Sequence, residues 1–387
     1  MTNNRPRARE LGIIIGSMPT GELNAITDVP GVKVGHVTLI EGSGSHIPGK
    51  GPIRTGITVI FPHSGDTYLD RVAGALQWLN GFGECFGAAV VNEFGFIIGP
   101  IVLTNSFNVY RVADALQDWS ISQHPEVGIE THGLICLVAE CSDDFLNDIQ
   151  GRHVHKEHVL EVLENAQEGP VEEGSVGAGT GTEGFGFKAG IGTSSRVLPE
   201  DLGGFIVGVL VLTNFGTREQ LTIAGVPVGR ELIDWQPQRL GRCNEGSCVI
   251  TIATDAPLSS RQLNRLARRA WLGLARTGSI SGNGSGDLAI AFSTTNRVPR
   301  DPQALLRSQQ VIPDFQEGTM NALFQATVES VEEAILNSLF RADTMVGRNN
   351  NTLYGLPLKE VVDIMHKYGH SEVRYWETPP DPSSSTR

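Results

Sequence analysis

Gly246-Ser247 is the pair of residues whose types and position could support chemistry with the least help from elsewhere in the chain. Residues 241–255 are predicted to form a short polar loop that ends in this pair and continues as a buried strand over 248–253. A serine held where a loop becomes a strand has a fixed hydroxyl, although most Gly-Ser pairs in that position simply begin a strand. To act as a nucleophile, the hydroxyl also needs a base.

The histidines and cysteines do not supply that base through any of the usual motifs. The chain lacks the G-x-S-x-G elbow of α/β-hydrolases and the settings of papain-like or caspase-like cysteines. His153, His155 and His158 are close in sequence, but helical residues two apart point about 200° apart, which favours a solvated helix start over a metal site. The glycine-rich loop 177–182 lacks the G-K-[ST] ending of a P-loop, so close backbone packing is favoured over phosphate binding. We therefore expect no metal and no organic cofactor.

One physical solution is a serine that uses its own α-amine, with a pKa of about 8, after the peptide bond before it has been cut. Gly246 would ease both a strained backbone and attack on its carbonyl. Two groups of polar residues at strand ends are candidates to assist: Asn214 follows the predicted strand 205–213, and Ser285 and Asp287 open the predicted strand 288–292.

Glu140 occupies a comparable position. It closes an apolar run over 133–140, which is predicted to be a strand, and is followed by the polar turn Cys-Ser-Asp-Asp at 141–144. Strand ends that meet such turns are common places for site residues.

The order of elements favours stacked sheets over a doubly wound parallel sheet. Strands are predicted around 32–37, at 57–61 and within 94–104; helices are predicted at 109–119, 153–167, 259–278, 319–342 and 357–367, and 71–80 is weakly helical. Strands come first, with helices in pairs behind them and without regular β-α-β alternation. The predicted fold class is therefore α/β (α+β), a four-layer α-β-β-α sandwich formed by a single domain over 1–378, with a disordered tail at 379–387.

Composition limits the partners and the compartment. A formal net charge of -13 over 387 residues argues against nucleic acid or an anionic membrane surface as the main partner. Five cysteines without a C-x-x-C pair suit a reducing compartment, and the first apolar segment is shorter than the core of a signal peptide. These features predict a cytoplasmic protein.

The segments around Ser247 resemble, in order and spacing, those of the self-processing serine aminopeptidases of the L-aminopeptidase/D-esterase and β-peptidyl aminopeptidase family. The resemblance covers nearly the whole chain, and no single segment is unique to the family. The matching segments are ITDVPGVKVGH at 26–36, VAECSDDFLNDI at 138–149, GAGTG at 177–181, VLVLTN at 209–214, GS at 246–247, ATDAPL at 253–258 and GNGSGDLAIAFS at 282–293.

The resemblance implies that the precursor cleaves itself between Gly246 and Ser247. The products would be an α chain, 1–246, and a β chain, 247–387, that stay together in an α-β-β-α sandwich of the N-terminal-nucleophile type. Ser247 would be the nucleophile of self-cleavage and then of catalysis. Family members are also ring-like tetramers of αβ units, which implies a homotetramer here.

The resemblance also assigns supporting roles. Asn214 would donate to the oxyanion, while Ser285 and Asp287 would orient and tune the new α-amine. Glu140 would hold the ammonium group of the substrate, which explains a requirement for a free amino terminus. The implied activity is release of the amino-terminal residue from small peptides, amino-acid amides or esters, including substrates with D- or β-amino acids.

Three positions depart from the family pattern, and two rivals remain. Ser142, a candidate substrate-binding residue, replaces a tyrosine found in some members; Asp144 replaces a glycine; and Cys248 is bulkier than serine and is predicted to be a core residue. One rival is an acetyltransferase of the ornithine acetyltransferase type, which usually has a threonine nucleophile. The other is a binding protein that keeps the fold and never cleaves.

Overall fold

The computed structural model describes residues 5–131, 133, 135–237, 245–300, 309–314 and 316–376. The predicted disordered tail at 379–387 and residues 241–244 of the predicted loop before Gly246 lie outside these ranges.

The described residues form fifteen strands and seven α-helices. The strands are β1 Lys33–Glu41, β2 Ile53–Phe61, β3 Asp70–Gly81, β4 Cys85–Phe86, β5 Phe96–Ile97, β6 Ile101–Thr104, β7 Leu137–Glu140, β8 Glu183–Gly184, β9 Phe187–Lys188, β10 Ile191–Val197, β11 Ile206–Asn214, β12 Glu245–Thr254, β13 Gly284–Pro299, β14 Met345–Val346 and β15 Thr352–Leu353. The helices are α1 Ala88–Phe94, α2 Val109–Gln123, α3 Lys156–Glu164, α4 Val228–Glu231, α5 Ser260–Arg276, α6 Glu317–Phe340 and α7 Leu358–Lys367.

Two large sheets form the centre of the fold. The first has the order β1-β2-β6-β7-β4 and the second the order β10-β11-β12-β13-β3-β5. Each contains one parallel pair, β6 with β7 and β12 with β13. Parallel strands need a crossover connection, which α2 provides in the first sheet and α5 in the second.

Three buried apolar clusters divide the fold into four layers. One lies between the sheets and includes Leu103, Leu212 and Ile290. A second joins the outer face of the first sheet to α2 and α3, and the third joins the outer face of the second sheet to α5 and α6. The predicted α-β-β-α sandwich is confirmed.

The prediction that residues 71–80 are helical is wrong, because this segment is β3, paired antiparallel with β13. Its alanines, leucines and glutamine suit a helix on propensity alone. In the folded chain, Val72 and Leu76 face the cluster between the sheets, whereas Ala73 and Ala75 face the cluster with α5. The small alanines let α5 pack closely on the sheet, so tertiary packing overrides helix propensity.

Other predicted elements are present with shifted ends. The strand after Gly246-Ser247 already begins at Glu245, so both residues lie inside β12 rather than before it. The helix predicted at 153–167 is the shorter α3, and the strand predicted at 133–140 is the shorter β7. At the start of α5, the Ser259 side chain accepts the Gln262 N–H and the two residues form a capping box.

The glycine-rich loop 177–182 is packed between the sheets. A Cβ on Gly181 would lie 2.1 Å from the Arg54 carbonyl oxygen, and one on Gly179 would lie 2.5 Å from the Ile191 nitrogen. The interpretation as close backbone packing is therefore confirmed. Within the described part of the chain, no helix has the length and hydropathy needed to cross a membrane.

Candidate active site

Ser247 and Asn214 are cross-strand neighbours in the second sheet. Ser247 is the third residue of β12 and Asn214 the last of β11, and the two are paired in the antiparallel register. Directly opposite residues project from the same face of a sheet, with Cβ atoms about 5 Å apart. Both side chains therefore lie on the face that meets the first sheet, and Ser247 is buried there.

A cleft of about 580 Å³ opens over this pair. Its polar lining comes from Glu84, Ser106, Glu140, Ser142, Asp144, Glu183, Asn214 and Ser247. The exposed rings of Phe82 and Phe107 add apolar surface. Among the described residues that line the cleft, four are carboxylic acids and none is basic, which favours a ligand with a positively charged group.

Glu140 is held in this cleft at the carboxyl end of β7. One carboxylate oxygen accepts the Glu84 backbone N–H at 3.1 Å, and the other accepts the Ser106 hydroxyl. Burial raises the pKa of Glu140, while these two hydrogen bonds oppose the rise. The carboxylate is thus oriented and lacks a Lys or Arg partner among the described lining residues.

The Asn214 amide is oriented by a neighbouring backbone group. Its oxygen Oδ1 accepts the Glu183 N–H at 3.4 Å. The opposite end of the amide, the NH₂ group, is then the end that can donate to a group in the cleft. The geometry suits an electrostatic stabiliser of negative charge that develops beside Ser247.

Ser285 and Asp287 lie on the other side of β12. In the parallel register Ser285 is opposite Gly246, Gly286 opposite Ser247 and Asp287 opposite Cys248. Because successive side chains alternate between faces, Ser285 and Asp287 point away from the face that holds the Ser247 hydroxyl. They are therefore beside the backbone of the 246–247 peptide, not in the main cleft.

The Ser285-Asp287 pair is buried and linked. The Ser285 hydroxyl donates to Asp287 Oδ1 at 2.8 Å, and Asn80 Nδ2 lies 3.4 Å from Asp287 Oδ2. Burial raises the pKa of Asp287, and the hydrogen bonds from Ser285, Ser281 and Asn80 oppose the rise. This pair forms a polar group beside the backbone of Gly246.

Ser142 lies in the cleft but is engaged with its own turn. Its hydroxyl donates to Asp144 Oδ1 at 3.2 Å. Beneath the turn, Asp143 accepts hydrogen bonds from Thr55, Asn105 and Asn147, and burial raises its pKa to about 6. The turn is thereby fixed to the core, and Ser142 and Asp144 are presented from a rigid base.

Several cleft residues were not identified from the sequence. Glu84 and Ser106 reach the site from loops and Glu183 from β8; all three are distant in the chain, and their sequence carries no motif. Cys141 is a different case, because it directly follows Glu140; its thiol donates to the Leu212 carbonyl at 3.6 Å and lies beside the Ser247 side chain. Burial raises the pKa of Cys141 well above its ordinary value, so it is a neutral packing partner of the hydroxyl. Cys248 is fully buried, as predicted.

The histidines at 153–158 take structural positions. His153 Nε2 lies 3.0 Å from Asp148, and the N–H of His155 donates to His158 Nδ1 at 3.0 Å. Within the described residues, no group of three His, Cys, Asp or Glu side chains is arranged to hold a metal ion.

Gly246 fits its place in β12 because it has no side chain. A Cβ there would lie 2.7 Å from the Asn214 carbonyl oxygen and 2.8 Å from Phe215 Cα, and both of these are backbone atoms. We expect Gly246→Ala, made in a Ser247→Ala background that lacks the predicted nucleophile of self-cleavage, to lower the free energy of unfolding by about 1–3 kcal/mol. Chemical denaturation of the two proteins measures the difference.

Gly81 is the matched control for that measurement. It lines the same cleft, and a Cβ there would meet nothing within 4 Å. Gly81→Ala in the same background should change the free energy of unfolding by no more than about 0.5 kcal/mol. Equal effects of the two substitutions would contradict the tight fit at Gly246.

The sequence matches the family described as Peptidase family S58 over residues 24–353. The chain belongs to this family. This S58 peptidase is 45% identical over 370 residues to the β-peptidyl aminopeptidase BapA of Sphingosinicella xenopeptidilytica, with 93% of this chain and 91% of the relative covered.

Two solved structures resemble this S58 peptidase along almost its whole length. The L-aminopeptidase D-Ala-esterase/amidase of Ochrobactrum anthropi superposes with a TM-score of 0.87 at 37% identity, covering 95% of this chain and 99% of that one. It is described as a prototype of the serine aminopeptidases and a variant of the Ntn hydrolase fold. A β-aminopeptidase of Burkholderia sp. superposes with a TM-score of 0.86 at 41% identity, covering 94% of this chain and 99% of that one. The family resemblance and fold class inferred from sequence are confirmed.

Proposed function

We propose that this S58 peptidase is a self-processing aminopeptidase in which Ser247 becomes both the amino terminus and the nucleophile. The observation that carries the proposal is the common cleft of Ser247, Asn214 and Glu140, which combines a hydroxyl, a donor and a buried carboxylate. These are the groups that an attack on a carbonyl next to an ammonium group requires. Self-cleavage and the residue roles are inferences from this geometry and from the family.

Self-cleavage would proceed by attack of the Ser247 hydroxyl on the carbonyl carbon of Gly246. A C–O bond forms, the C–N bond breaks, and the proton of the hydroxyl passes to the departing nitrogen. Water then hydrolyses the ester, which leaves a carboxyl group on Gly246 and restores the Ser247 hydroxyl. The product amine belongs to Ser247 itself.

Catalysis would repeat the attack on a substrate. The α-amine of Ser247 takes the hydroxyl proton, the hydroxyl attacks the substrate carbonyl, and the amine returns the proton to the leaving group, which leaves an acyl-enzyme on Ser247. Water then hydrolyses this ester, which releases the acyl product and restores the hydroxyl. Asn214 Nδ2 donates to the oxyanion. Ser285 and Asp287 support the amine, since Ser285 lies opposite Gly246 in the β12-β13 pair and is hydrogen-bonded to Asp287.

Glu140 would select substrates with a free amino terminus. Its carboxylate is preorganised by Glu84 and Ser106 and sits in a cleft with no basic residue among the described lining. A substrate ammonium supplies the missing positive charge. Small peptides, amino-acid amides and amino-acid esters meet this requirement, and the relatives named for β-peptides, L-amino acids and D-Ala esters extend the range to test.

A pair of substrates tests the proposed activity. Purified protein should release ammonia from an amino-acid amide and release none from the same amide after N-acetylation. A binding protein that never cleaves would release none from either. An acetyltransferase of the ornithine acetyltransferase type would act only with an acetyl donor, and the family and relatives of this chain favour the peptidase.

We also propose a cytoplasmic homotetramer of αβ units. The support is the family resemblance, together with the absence of a C-x-x-C pair in the sequence. Light scattering of the processed protein in solution measures the assembly, and a mass of one αβ unit would contradict it.

Glu140→Gln should mainly weaken substrate binding. Replacing the carboxylate by a neutral amide removes a charged hydrogen bond, which is worth about 1.5–3 kcal/mol, so kcat/KM should fall about 10- to 150-fold with most of the change in KM. Steady-state kinetics on an amino-acid amide measures this. Glu84→Gln is the matched control, because Glu84 contacts Glu140 through its backbone N–H, which the substitution retains. Equal losses in both variants would contradict the role of Glu140.

The raised pKa of Glu140 predicts that KM depends on pH. Since the pKa of Glu140 is raised, the group takes up a proton at a higher pH than an ordinary glutamate and then no longer attracts an ammonium. The KM of the unmodified enzyme should therefore rise as pH falls toward that pKa. The KM of Glu140→Gln should not show this rise, and an identical rise in both proteins would count against the assignment.

A further inference from the structure

Lys188 is a fully buried lysine close to the candidate site but outside its cleft. Its Nζ donates to three backbone carbonyls, those of Gly179 at 3.0 Å, Thr182 at 2.9 Å, and Ala189. An ammonium group has three protons to donate, so these acceptors match its charged form. Burial lowers the pKa of Lys188 to about 7, and nearby Glu183 opposes the fall.

These three bonds hold the segment that contacts the Asn214 side chain. Thr182 directly precedes Glu183, and Glu183 pairs with Lys188 across the β8-β9 hairpin. The Glu183 N–H is the donor to Asn214 Oδ1. Lys188 therefore holds Glu183 in two ways. Its ammonium group binds the carbonyl of Thr182, and its own backbone in β9 is paired with Glu183.

The hairpin also supports the backbone beside the scissile bond. The Phe185 N–H donates to the Phe215 carbonyl at 2.7 Å, and Gly184 forms a parallel bridge with Phe215. Phe215 follows Asn214, and its Cα is one of the atoms that leave no room for a side chain on Gly246. The hairpin, Asn214 and Gly246 are thus in continuous contact.

The orientation of an asparagine amide decides which atom it presents to an oxyanion. With Oδ1 bonded to Glu183, Asn214 presents its NH₂ group; with the amide reversed, it would present an oxygen and repel the negative charge. The Glu183 N–H selects the productive orientation. Its own position depends on the backbone that Lys188 holds.

We propose that Lys188 is a positioning residue that keeps the Asn214 amide directed at the oxyanion through the Glu183 N–H. The inference rests on the proposed function, because it presupposes an oxyanion beside Ser247. Lys188 does not touch substrate and acts only through Asn214. Its removal should therefore slow the chemical step while leaving Glu140 free to bind the substrate ammonium.

Lys188→Met and a double-mutant cycle with Asn214→Ala test the proposal. Methionine keeps most of the side-chain volume but donates no hydrogen bond. Because a misplacement of about 1 Å can cost about 10²-fold, Lys188→Met should lower kcat up to about 100-fold with KM changed less than about 3-fold. In an Asn214→Ala background, Lys188→Met should lower kcat no further, since the donor that Lys188 positions is already gone.

A second variant separates a loss of Asn214 positioning from a general loss of protein stability. Val362→Ala removes buried volume from α7, which does not line the cleft, and should lower the melting temperature with kcat unchanged. If Lys188→Met does not fold, Lys188→Leu, which also donates no hydrogen bond, takes its place under the same criteria.

The outcomes separate this inference from the proposed function. Loss of kcat in the single variant without further loss in the double variant supports the role of Lys188. An unchanged kcat, or the same fold-loss in both backgrounds, overturns it while the unmodified enzyme remains active. If the unmodified enzyme releases no ammonia from an amino-acid amide, the proposed function fails, and the role of Lys188 fails with it.

Discussion

Ser247→Ala should yield one uncleaved chain that hydrolyses no amino-acid amide. Alanine lacks the hydroxyl that would attack the Gly246 carbonyl, so the bond between 246 and 247 should persist and no α-amine should form. Loss of a serine nucleophile costs on the order of 10⁶-fold in kcat in other serine hydrolases. Here the same substitution removes the nucleophile and also prevents its base from being released.

Denaturing electrophoresis and an amide-hydrolysis assay measure both consequences. Ser120→Ala is the control, because Ser120 is a buried serine on α2 that does not line the cleft. That variant should be processed and active like the unmodified chain. Two chains or measurable turnover in Ser247→Ala would assign the nucleophile elsewhere.

Asn214→Ala should lower kcat by about 10²- to 10³-fold, which is the usual cost of removing one oxyanion donor. The KM should change little, because Glu140 still binds the ammonium group. Steady-state and single-turnover kinetics on fully processed protein measure the two constants. The substitution acts on the transition state, so kcat and kcat/KM should fall together.

Asn214→Asp provides a sharper comparison at the same position. Aspartate matches asparagine in size but, when ionised, donates no hydrogen bond. It should therefore lose at least as much kcat as Asn214→Ala, since it also places negative charge beside the oxyanion. A variant whose kcat is unchanged and whose KM alone is raised would show that Asn214 binds substrate and does not stabilise the oxyanion.

The layered fold was predictable because its strands and helices carry strong periodic signals. β11 is a continuous apolar strand, and α5 combines a capping box with helical spacing of its leucines and alanines. β3 was not predictable, since its sequence suits a helix and only the packing of small alanines against α5 explains the strand. Local propensity is weakest where small residues serve tertiary packing.

The location of some candidate site residues was predictable from the sequence, and that of others was not. Ser247, Asn214 and Glu140 lie at or near strand ends within recognisable segments, and the fold brings all three to one cleft. Ser285 and Asp287 fall beside the backbone of Gly246 on the opposite face, which the order of residues alone does not reveal.

The residues that orient these groups were not predictable. Glu84 and Glu183 act through backbone N–H groups, which every residue except proline possesses and which leave no mark on the sequence. Lys188 acts on backbone carbonyls, so its significance depends on burial that only the fold reveals.

Self-processing before Ser247 is measured most directly by the intact mass of the purified protein under denaturing conditions, followed by sequencing from the amino terminus of each chain. We expect two chains that correspond to 1–246 and 247–387, with Ser247 as the first residue of the second. A single chain that remains uncut on incubation, or a cut at any other bond, would contradict it.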